Sequence, residues 1–178
     1  MSGDHGASPA IDLDAVADLC PGLRAESAEP LAFRAVMALQ RRHRPGAKLL
    51  GLWRGEDLRE ALQWRARPAQ LAQMEDFNRV TEEGAEALAL ALTGRRCGWR
   101  VKRRLQSRLS EGADWLMVNG ATKVIVEVGG TDEGDLEALY RRKITQAQGA
   151  SWPKGTPRAA CVVRFVEPKV LFWSSDGA

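Results

Sequence analysis

The sequence predicts an α/β protein of the α+β kind, with a mixed sheet flanked by helices and a helical N-terminal part. Three observations support this fold class. From Thr81 onward the patterns follow the order helix, three antiparallel strands, helix, strand, strand. Asn119-Gly120 between two apolar segments predicts a tight hairpin, and the composition shifts near residue 78. We therefore predict a helical region over 1–77, poorly ordered at its start, and an α/β core over 78–178.

The N-terminal region contains helix signals separated by breakers. Pro21-Gly22 and Pro45-Gly46 interrupt the chain, and Pro30 has the place of a first helical residue. The apolar segment Leu49–Trp53 is a strand or a loop. Nothing before residue 78 has the spacing of a catalytic motif. The predicted helices are Ile11–Leu19, Pro30–Arg42, Glu56–Arg65 and Pro68–Phe77.

The segment Thr81–Leu92 has the strongest helix pattern in the chain. At 100° per residue, Glu82 and Glu86 point away from its apolar stripe, whereas Glu83 lies on the flank and faces along the sheet. Glu83 is therefore the candidate functional acid of this helix. The helix dipole alone also favours acids in a first turn, so a structural role is the alternative. The stripe consists of Val80, Gly84, Ala87, Leu88 and Ala91.

The segment Gly112–Gly130 predicts two strands joined by a two-residue turn at Asn119-Gly120. Side chains alternate along a strand, so Asp114 and Glu127 share one face. They are then diagonal neighbours, on the order of 6–8 Å apart at Cβ. The predicted register pairs Val118 with Ala121, Leu116 with Lys123 and Asp114 with Ile125.

Two carboxylates at that spacing can bind one divalent cation. Mg²⁺ takes oxygen ligands at roughly 2.0–2.1 Å and is often held by one or two carboxylates. Asp114 and Glu127 are thus candidate metal ligands. The alternative is a solvated hairpin with an acid at each outer end. A one-residue slip in the turn would also place Asp114 on the opposite face.

The other elements frame this hairpin. Trp99–Leu105 alternates as a strand does, and Gly129-Gly130 ends the second hairpin strand. Asp132–Gln148 is a predicted helix with acids at its start and basic residues further along, as the helix dipole favours. Ala159–Val166 and Lys169–Trp173 are the last two predicted strands.

The charges are unevenly distributed, although the net charge is only +3. Residues 1–30 are mainly acidic, whereas residues 95–108 contain no acid. Such a basic concentration favours a polyanionic partner, most often nucleic acid. A charged strand edge that prevents aggregation is the alternative. The basic residues are Arg95, Arg96, Arg100, Lys102, Arg103, Arg104 and Arg108.

Several classes of site and location are not indicated. The three cysteines have no CxxC spacing, so neither a zinc site nor a disulfide framework is expected. With His5 and His43 as the two histidines, a histidine-based triad is not expected. No apolar run reaches about 18 residues and no signal peptide is visible. We expect a cytoplasmic protein of bacterial type with no membrane partner.

The helix with Glu83, the strand with Asp114 and the strand with Glu127 before a helix resemble the restriction-endonuclease-like, or PD-(D/E)XK, nuclease superfamily. The resemblance covers about residues 81–166. It implies metal-dependent hydrolysis of a nucleic-acid phosphodiester, with DNA as the expected substrate and Mg²⁺ or Mn²⁺ as cofactor. The three acids would be catalytic, with Asp114 and Glu127 as metal ligands. The backbone phosphates would be bound by Arg100, Lys102, Arg103, Arg104 and Arg141.

The family's lysine, two residues after the last acid, is replaced by Gly129. Lys123 on the same strand face and Lys143 on the following helix are two possible substitutes. Some members of the family place the lysine on that helix, so Lys143 is the catalytic candidate. Gln146 also resembles a glutamine that some members have there.

Without a working lysine, the chain would instead be an inactive nuclease-fold protein. It would then act as a nucleic-acid-binding or assembly module, with a protein partner bound through the N-terminal helices. Several tryptophans are interface anchors in that interpretation, although aromatic residues are more often core. They are Trp53, Trp64, Trp152 and Trp173.

Overall fold

A computed structural model describes residues 10–68, 70–71, 75–105 and 113–176 of the chain. Within these ranges it has eight strands and four α-helices. The strands are β1 (Ile11–Asp12), β2 (Lys48–Trp53), β3 (Glu56–Gln63), β4 (Arg100–Arg104), β5 (Trp115–Asn119), β6 (Thr122–Thr131), β7 (Arg158–Arg164) and β8 (Lys169–Ser174). The helices are α1 (Val16–Leu19), α2 (Ala25–Gln40), α3 (Phe77–Cys97) and α4 (Leu136–Gly149), with a 3₁₀ turn at Leu13–Ala15. No helix within those ranges is long and apolar enough to cross a membrane.

The strands form one mixed sheet in the order β1-β3-β2-β8-β7-β6-β5-β4. The pairs β1–β3, β2–β8 and β6–β7 are parallel, and the other neighbours are antiparallel. Parallel neighbours need a long crossover, and α4 supplies it between β6 and β7. The predicted α+β class with a mixed sheet is confirmed.

The main core lies between one face of the sheet and helices α2 and α3. Met37 and Leu88 of these helices are buried in one cluster with Val163 and Phe172 of the sheet. On the opposite face, α4 buries Leu139 against strand residues such as Val162 and Leu171. Val162 and Val163 point to opposite faces because side chains alternate along a strand. The sheet is therefore covered on both faces where α4 crosses it.

The prediction of a helix over Glu56–Arg65 is wrong, because Glu56–Gln63 is strand β3. Leu58 and Leu62 lie four residues apart, a spacing that puts them on one face of a helix and also on one face of a strand. The burial of Glu60 between them gives the alternation of a strand. Strands β2 and β3 form a hairpin through the two-residue turn Arg54-Gly55, in which both residues have positive φ. The glycine in this turn is the local sequence feature that indicates the hairpin.

The N-terminal region therefore combines helix α2 with strands β2 and β3. These strands join the sheet beside β8, so the sheet extends across the predicted boundary at residue 77. Helix α2 begins at Ala25, and Pro30 lies inside it. In the described part of the predicted helix from Pro68, no residue before Phe77 is α-helical. The rest of that segment, at residues 69 and 72–74, lies outside the described residues.

The four tryptophans singled out as core or interface anchors divide into two pairs. Trp53 and Trp64 are each 5% exposed and thus belong to the core. The Trp53 ring stacks on Phe172 with a centroid distance of 3.9 Å. Trp152 and Trp173 are half-buried.

The predicted β5–β6 hairpin is present, with its loop one residue further along than expected. Asn119 pairs with Thr122, so the loop is Gly120-Ala121. Of the two loop residues, Gly120 has a positive φ, 59°. Positive φ at the first loop residue alone is the pattern of a type II′ turn, which prefers glycine there.

The observed register thus differs from the predicted one by two residues. Leu116 pairs with Ile125 instead of Lys123. A shift by an even number leaves every side chain on its original face. Asp114 and Glu127 therefore still share a face. Continuing the register one position beyond the last pair of β5 places these two residues opposite each other.

Helix α3 extends beyond its predicted end, and Gly98 closes it in the left-handed conformation. Gly94 lies within the helix. A Cβ at Gly94 would lie 2.2 Å from the carbonyl oxygen of Leu19. The glycine thus permits α1 to approach α3 closely.

We expect Gly94→Ala to destabilise the protein by about 1–3 kcal/mol, because a Cβ there displaces α1. The matched control is Gly149→Ala, in the last turn of α4, where a Cβ meets no atom within 4 Å. It should be neutral or stabilise by up to about 1 kcal/mol through helix propensity. Urea unfolding of both variants measures the difference. Equal stability of the two variants would contradict the close packing of α1 on α3.

Candidate active site

A cavity of about 340 Å³ lies where α3, β6 and α4 meet. Polar side chains line it from both helices, and Asp114 lies beside the start of β5. The backbone at Gly129 and Gly130 forms its floor. The lining residues are Glu82, Glu86, Asp114, Val128, Gly129, Gly130, Leu139, Arg142, Lys143 and Gln146.

Lys143 brings together the two acids that the sequence selected. Its Nζ lies 2.8 Å from Oε2 of Glu127 and 3.5 Å from Oδ2 of Asp114. Oδ2 of Asp114 also accepts a hydrogen bond of 2.7 Å from the backbone N–H of Val128. The two carboxylates thus converge on the ammonium group of Lys143. Asp114 and Lys143 line the cavity, and Glu127 adjoins it through Lys143, so we call this space the Asp114–Glu127 cavity.

Burial raises the pKa of Glu127 above its ordinary value, and the negative charge of Asp114 raises it further. The hydrogen bond and positive charge of Lys143 act in the opposite direction. Glu127 is only 5% exposed. A second positive charge beside these two carboxylates would therefore be stabilised by both of them.

Gly129 explains how Lys143 reaches this position. A Cβ at Gly129 would lie 3.2 Å from Cε of Lys143 and 3.2 Å from Cδ1 of Leu139. The glycine thus leaves space for the lysine arriving from α4. The other possible substitute, Lys123, is exposed near the turn of the hairpin and does not line the cavity.

Glu86 is a buried acid of the site that sequence reasoning missed. It is 8% exposed, accepts a hydrogen bond of 2.9 Å from the indole N–H of Trp115 and pairs with Arg104 at 2.6 Å. Burial raises its pKa from 4.5 to about 7. Arg104 and Trp115 lower the pKa, whereas the charge of Asp114 raises it.

The structure does not bring Glu83 to this cavity. Its carboxylate pairs with Arg34 of α2 and with Arg79, whose Nε lies 3.0 Å from Oε1. The sequence pattern favoured Glu83 over Glu86 as the functional acid, because the face of α3 opposite its apolar stripe was taken to be exposed to solvent. Every residue of α3 from Gly84 to Gly94 is buried, so Glu86 is covered as well.

The residues predicted to bind nucleic acid lie in two places. Lys102, Arg103 and Arg104 of β4 line a second cavity, on the α2 side of the sheet, and Arg100 is exposed on the same strand. Arg141 is exposed on α4, and its neighbour Arg142 lines the Asp114–Glu127 cavity instead. Arg104 links both places through its ion pair with Glu86.

The donors at this cavity fit a small divalent cation. Carboxylate oxygens are the ligands that Mg²⁺ and Mn²⁺ prefer, and one oxygen of Asp114 and one of Glu127 each lie within 3.5 Å of the Lys143 Nζ. Among the described residues, no three His, Cys, Asp or Glu side chains are grouped as a complete metal site. A cation held by these two acids would thus take its other ligands from water or phosphate, as Mg²⁺ commonly does.

Comparison of the chain with protein-family models, with curated proteins and with solved structures found no match.

We expect Glu86→Gln to change how stability depends on pH. Between pH 4.5 and 7 the folded protein binds more protons at Glu86 than the unfolded chain, so stability falls as the pH rises through this window. The variant lacks this contribution. From pH 4.5 to 7, the free energy of unfolding of the wild type should therefore fall by up to roughly 3 kcal/mol relative to that of the variant, since one pKa unit corresponds to about 1.36 kcal/mol.

Urea unfolding at several pH values in EDTA tests this expectation. Glu137→Gln, at an exposed position in the first turn of α4, is the control for loss of one carboxyl group. Parallel pH profiles for the wild type and Glu86→Gln would contradict the raised pKa of Glu86.

Proposed function

We propose that this chain is a metal-dependent phosphodiesterase acting on nucleic acid, a nuclease of the PD-(D/E)XK type. The observation that carries the proposal is the position of the Lys143 ammonium against both Asp114 and Glu127. Two acids and a lysine on a strand pair and the adjoining helix are the groups that this chemistry requires. The cavity beside them is open to a substrate phosphate.

Asp114 and Glu127 would hold the cation, Mg²⁺ or Mn²⁺. The chemistry such a cation supplies when bound is a water of lowered pKa and positive charge beside the phosphodiester. Asp114 is fixed for this role by its hydrogen bond from the Val128 backbone. Glu127 is fixed by burial and by Lys143.

Lys143 adds a positive charge that does not depend on the cation. Its side chain is 16% exposed, so its charge is little screened by solvent. At the cavity edge the ammonium can donate to the attacking water or to a phosphate oxygen, and it stabilises charge that develops in the transition state. Gly129 keeps the space that Lys143 needs for this role.

The basic strand β4 supports nucleic acid as the substrate. Lys102, Arg103 and Arg104 lie on an edge strand, and Arg104 touches the candidate site through Glu86. Phosphate contacts by such residues give affinity that depends on salt and little on sequence. DNA is the substrate we propose first.

We expect the wild type to cleave plasmid DNA with Mg²⁺ or Mn²⁺, and Asp114→Asn and Glu127→Gln each to lose roughly 10²–10³-fold in rate. Both changes keep the shape of the side chain and remove its charge. Gel analysis of plasmid over time measures the rates. Glu137→Gln is the control and should keep the wild-type rate. Cleavage that persists in both site variants would rule out the assigned acids.

We expect Lys143→Ala to lose roughly 10²–10⁴-fold in rate and Lys123→Ala to lose little. Adding Gly129→Lys to Lys143→Ala should restore part of the lost rate, because a side chain at position 129 points to where Cε of Lys143 lies. The same plasmid assay measures all three variants. A double variant no faster than Lys143→Ala would show that the ammonium position is not what the reaction needs.

A second candidate function is an inactive nuclease-fold module that binds a protein or nucleic acid. Leu50 and Leu52 of β2 are 45% and 41% exposed, which favours a protein partner at that part of the sheet. Calorimetric titration with Mn²⁺ separates the two functions. Binding that Asp114→Asn abolishes supports the enzyme. No binding, with nucleic-acid affinity intact, supports the module.

A further inference from the structure

A second cavity of about 430 Å³ lies between α2, the start of α3 and β4. Its size is within the range of small-ligand sites. Among the described residues that line it, one carboxylate, Glu83, faces six cations from four parts of the chain. The cations are Arg24, Arg34, Arg79, Lys102, Arg103 and Arg104.

A bulge in β4 places Arg104 on the cavity side of the sheet. The pairing of β4 with β5 shifts between Val101 and Arg103, so Lys102 is the extra residue. In a regular strand, neighbouring side chains point to opposite faces. Because of the extra residue, Arg104 pairs with Trp115 on the side of α3, whereas Arg103 pairs with Leu116, which packs on the other face. Bulges commonly redirect side chains in this way beside functional sites.

Ion pairs hold three of the arginines in place around the cavity. Arg34 pairs with Glu75 and Glu83, and Arg79 also pairs with Glu83. Arg104 pairs with Glu86. These pairs fix the guanidinium groups before a ligand arrives, which reduces the entropy that binding costs.

The loop before α2 completes the cavity. The backbone N–H of Val101 donates to the carbonyl of Pro21 at 2.8 Å. Gly22 has φ +87°, and a Cβ there would lie 2.3 Å from the carbonyl oxygen of Val101. Arg24, three residues after Pro21, lines the same cavity as Lys102, and both side chains are exposed.

We propose that this cavity binds a phosphate group of the nucleic-acid strand, with Arg24 and Lys102 as direct contacts. The inference rests on the proposed function and adds a binding site outside the cleavage centre. A phosphate carries several acceptor oxygens, which suits cations that converge from different directions, and arginine can donate two hydrogen bonds to it. A carboxylate ligand would match fewer of the six cations.

The two cavities are adjacent along α3. Arg104 and Trp115 line the cationic cavity, and both bond to Glu86, which lines the Asp114–Glu127 cavity. A strand bound at both would place one phosphate among the cations and another at the acids. The cationic cavity thus positions the strand, while the other cavity acts on it.

Fluorescence anisotropy with a labelled oligonucleotide in EDTA tests this site without requiring cleavage. The double variant Arg24→Gln, Lys102→Gln should raise Kd by roughly tenfold and reduce the slope of log K against log salt by about 1, because the site neutralises one phosphate and each neutralised phosphate contributes about 0.9 to the slope. The matched control is Lys48→Gln, Arg59→Gln, which removes the same charges from exposed positions on β2 and β3. It should change Kd by less than about twofold. Melting curves verify that both variants fold.

The proposed site would be overturned if the two double variants bind the oligonucleotide with equal affinity, whether or not both bind it more weakly than the wild type. Competition with inorganic pyrophosphate identifies the source of the phosphate. Binding of pyrophosphate that depends on Arg24 and Lys102, with oligonucleotide affinity unchanged, would reassign the cavity to a small phosphate compound. The plasmid assay is independent of these results. A loss of binding without any cleavage by the wild type supports this site and overturns the proposed enzyme.

Discussion

Two carboxylates at adjacent positions of a sheet repel each other, and burial makes the repulsion stronger because the charges lose water. In this fold the ammonium of Lys143 offsets that cost for Asp114 and Glu127. Its position depends on α4 crossing from β6 to β7 directly over the sheet. Breaking a buried pair by removing one partner typically costs about 3–5 kcal/mol. The groups to which we assign the reaction are thus also part of what holds α4 in place.

The features that the sequence predicted well depend on local chemistry. The Asn-Gly signal placed the hairpin within one residue, and alternation placed Asp114 and Glu127 on the same face. That conclusion survived the wrong register because the shift was even. Lys143 was found through the resemblance alone, since no local pattern shows which turn of a helix will lie over a given strand.

The features that sequence reasoning missed depend on long-range packing. Strand β3 was taken for a helix because the spacing of Leu58 and Leu62 fits both periods. The strand is fixed by sheet pairing, because β2 pairs with both β3 and β8. Strands β2 and β8 lie more than a hundred residues apart in the chain. Glu86 was taken as exposed because, at 100° per residue, it points away from the apolar stripe of its helix. Burial on all sides of α3 is visible only once α2 and the sheet enclose it.

Helix α3 lies between two cavities with different charged linings, and its sequence shows how. Glu82 and Glu86, four residues apart, line the Asp114–Glu127 cavity, whereas Arg79 and Glu83, also four apart, line the cationic one. Residues at this spacing lie one above the other on a helix, and a step of one residue turns the side chain by about 100°. The helix can therefore present two acids to one side and the Arg79–Glu83 ion pair to the other. In the proposed nuclease, the cationic side would attract a polyanion, and the carboxylates on the other side would repel it until a divalent cation has bound there. A phosphodiester would then bind productively only after the metal.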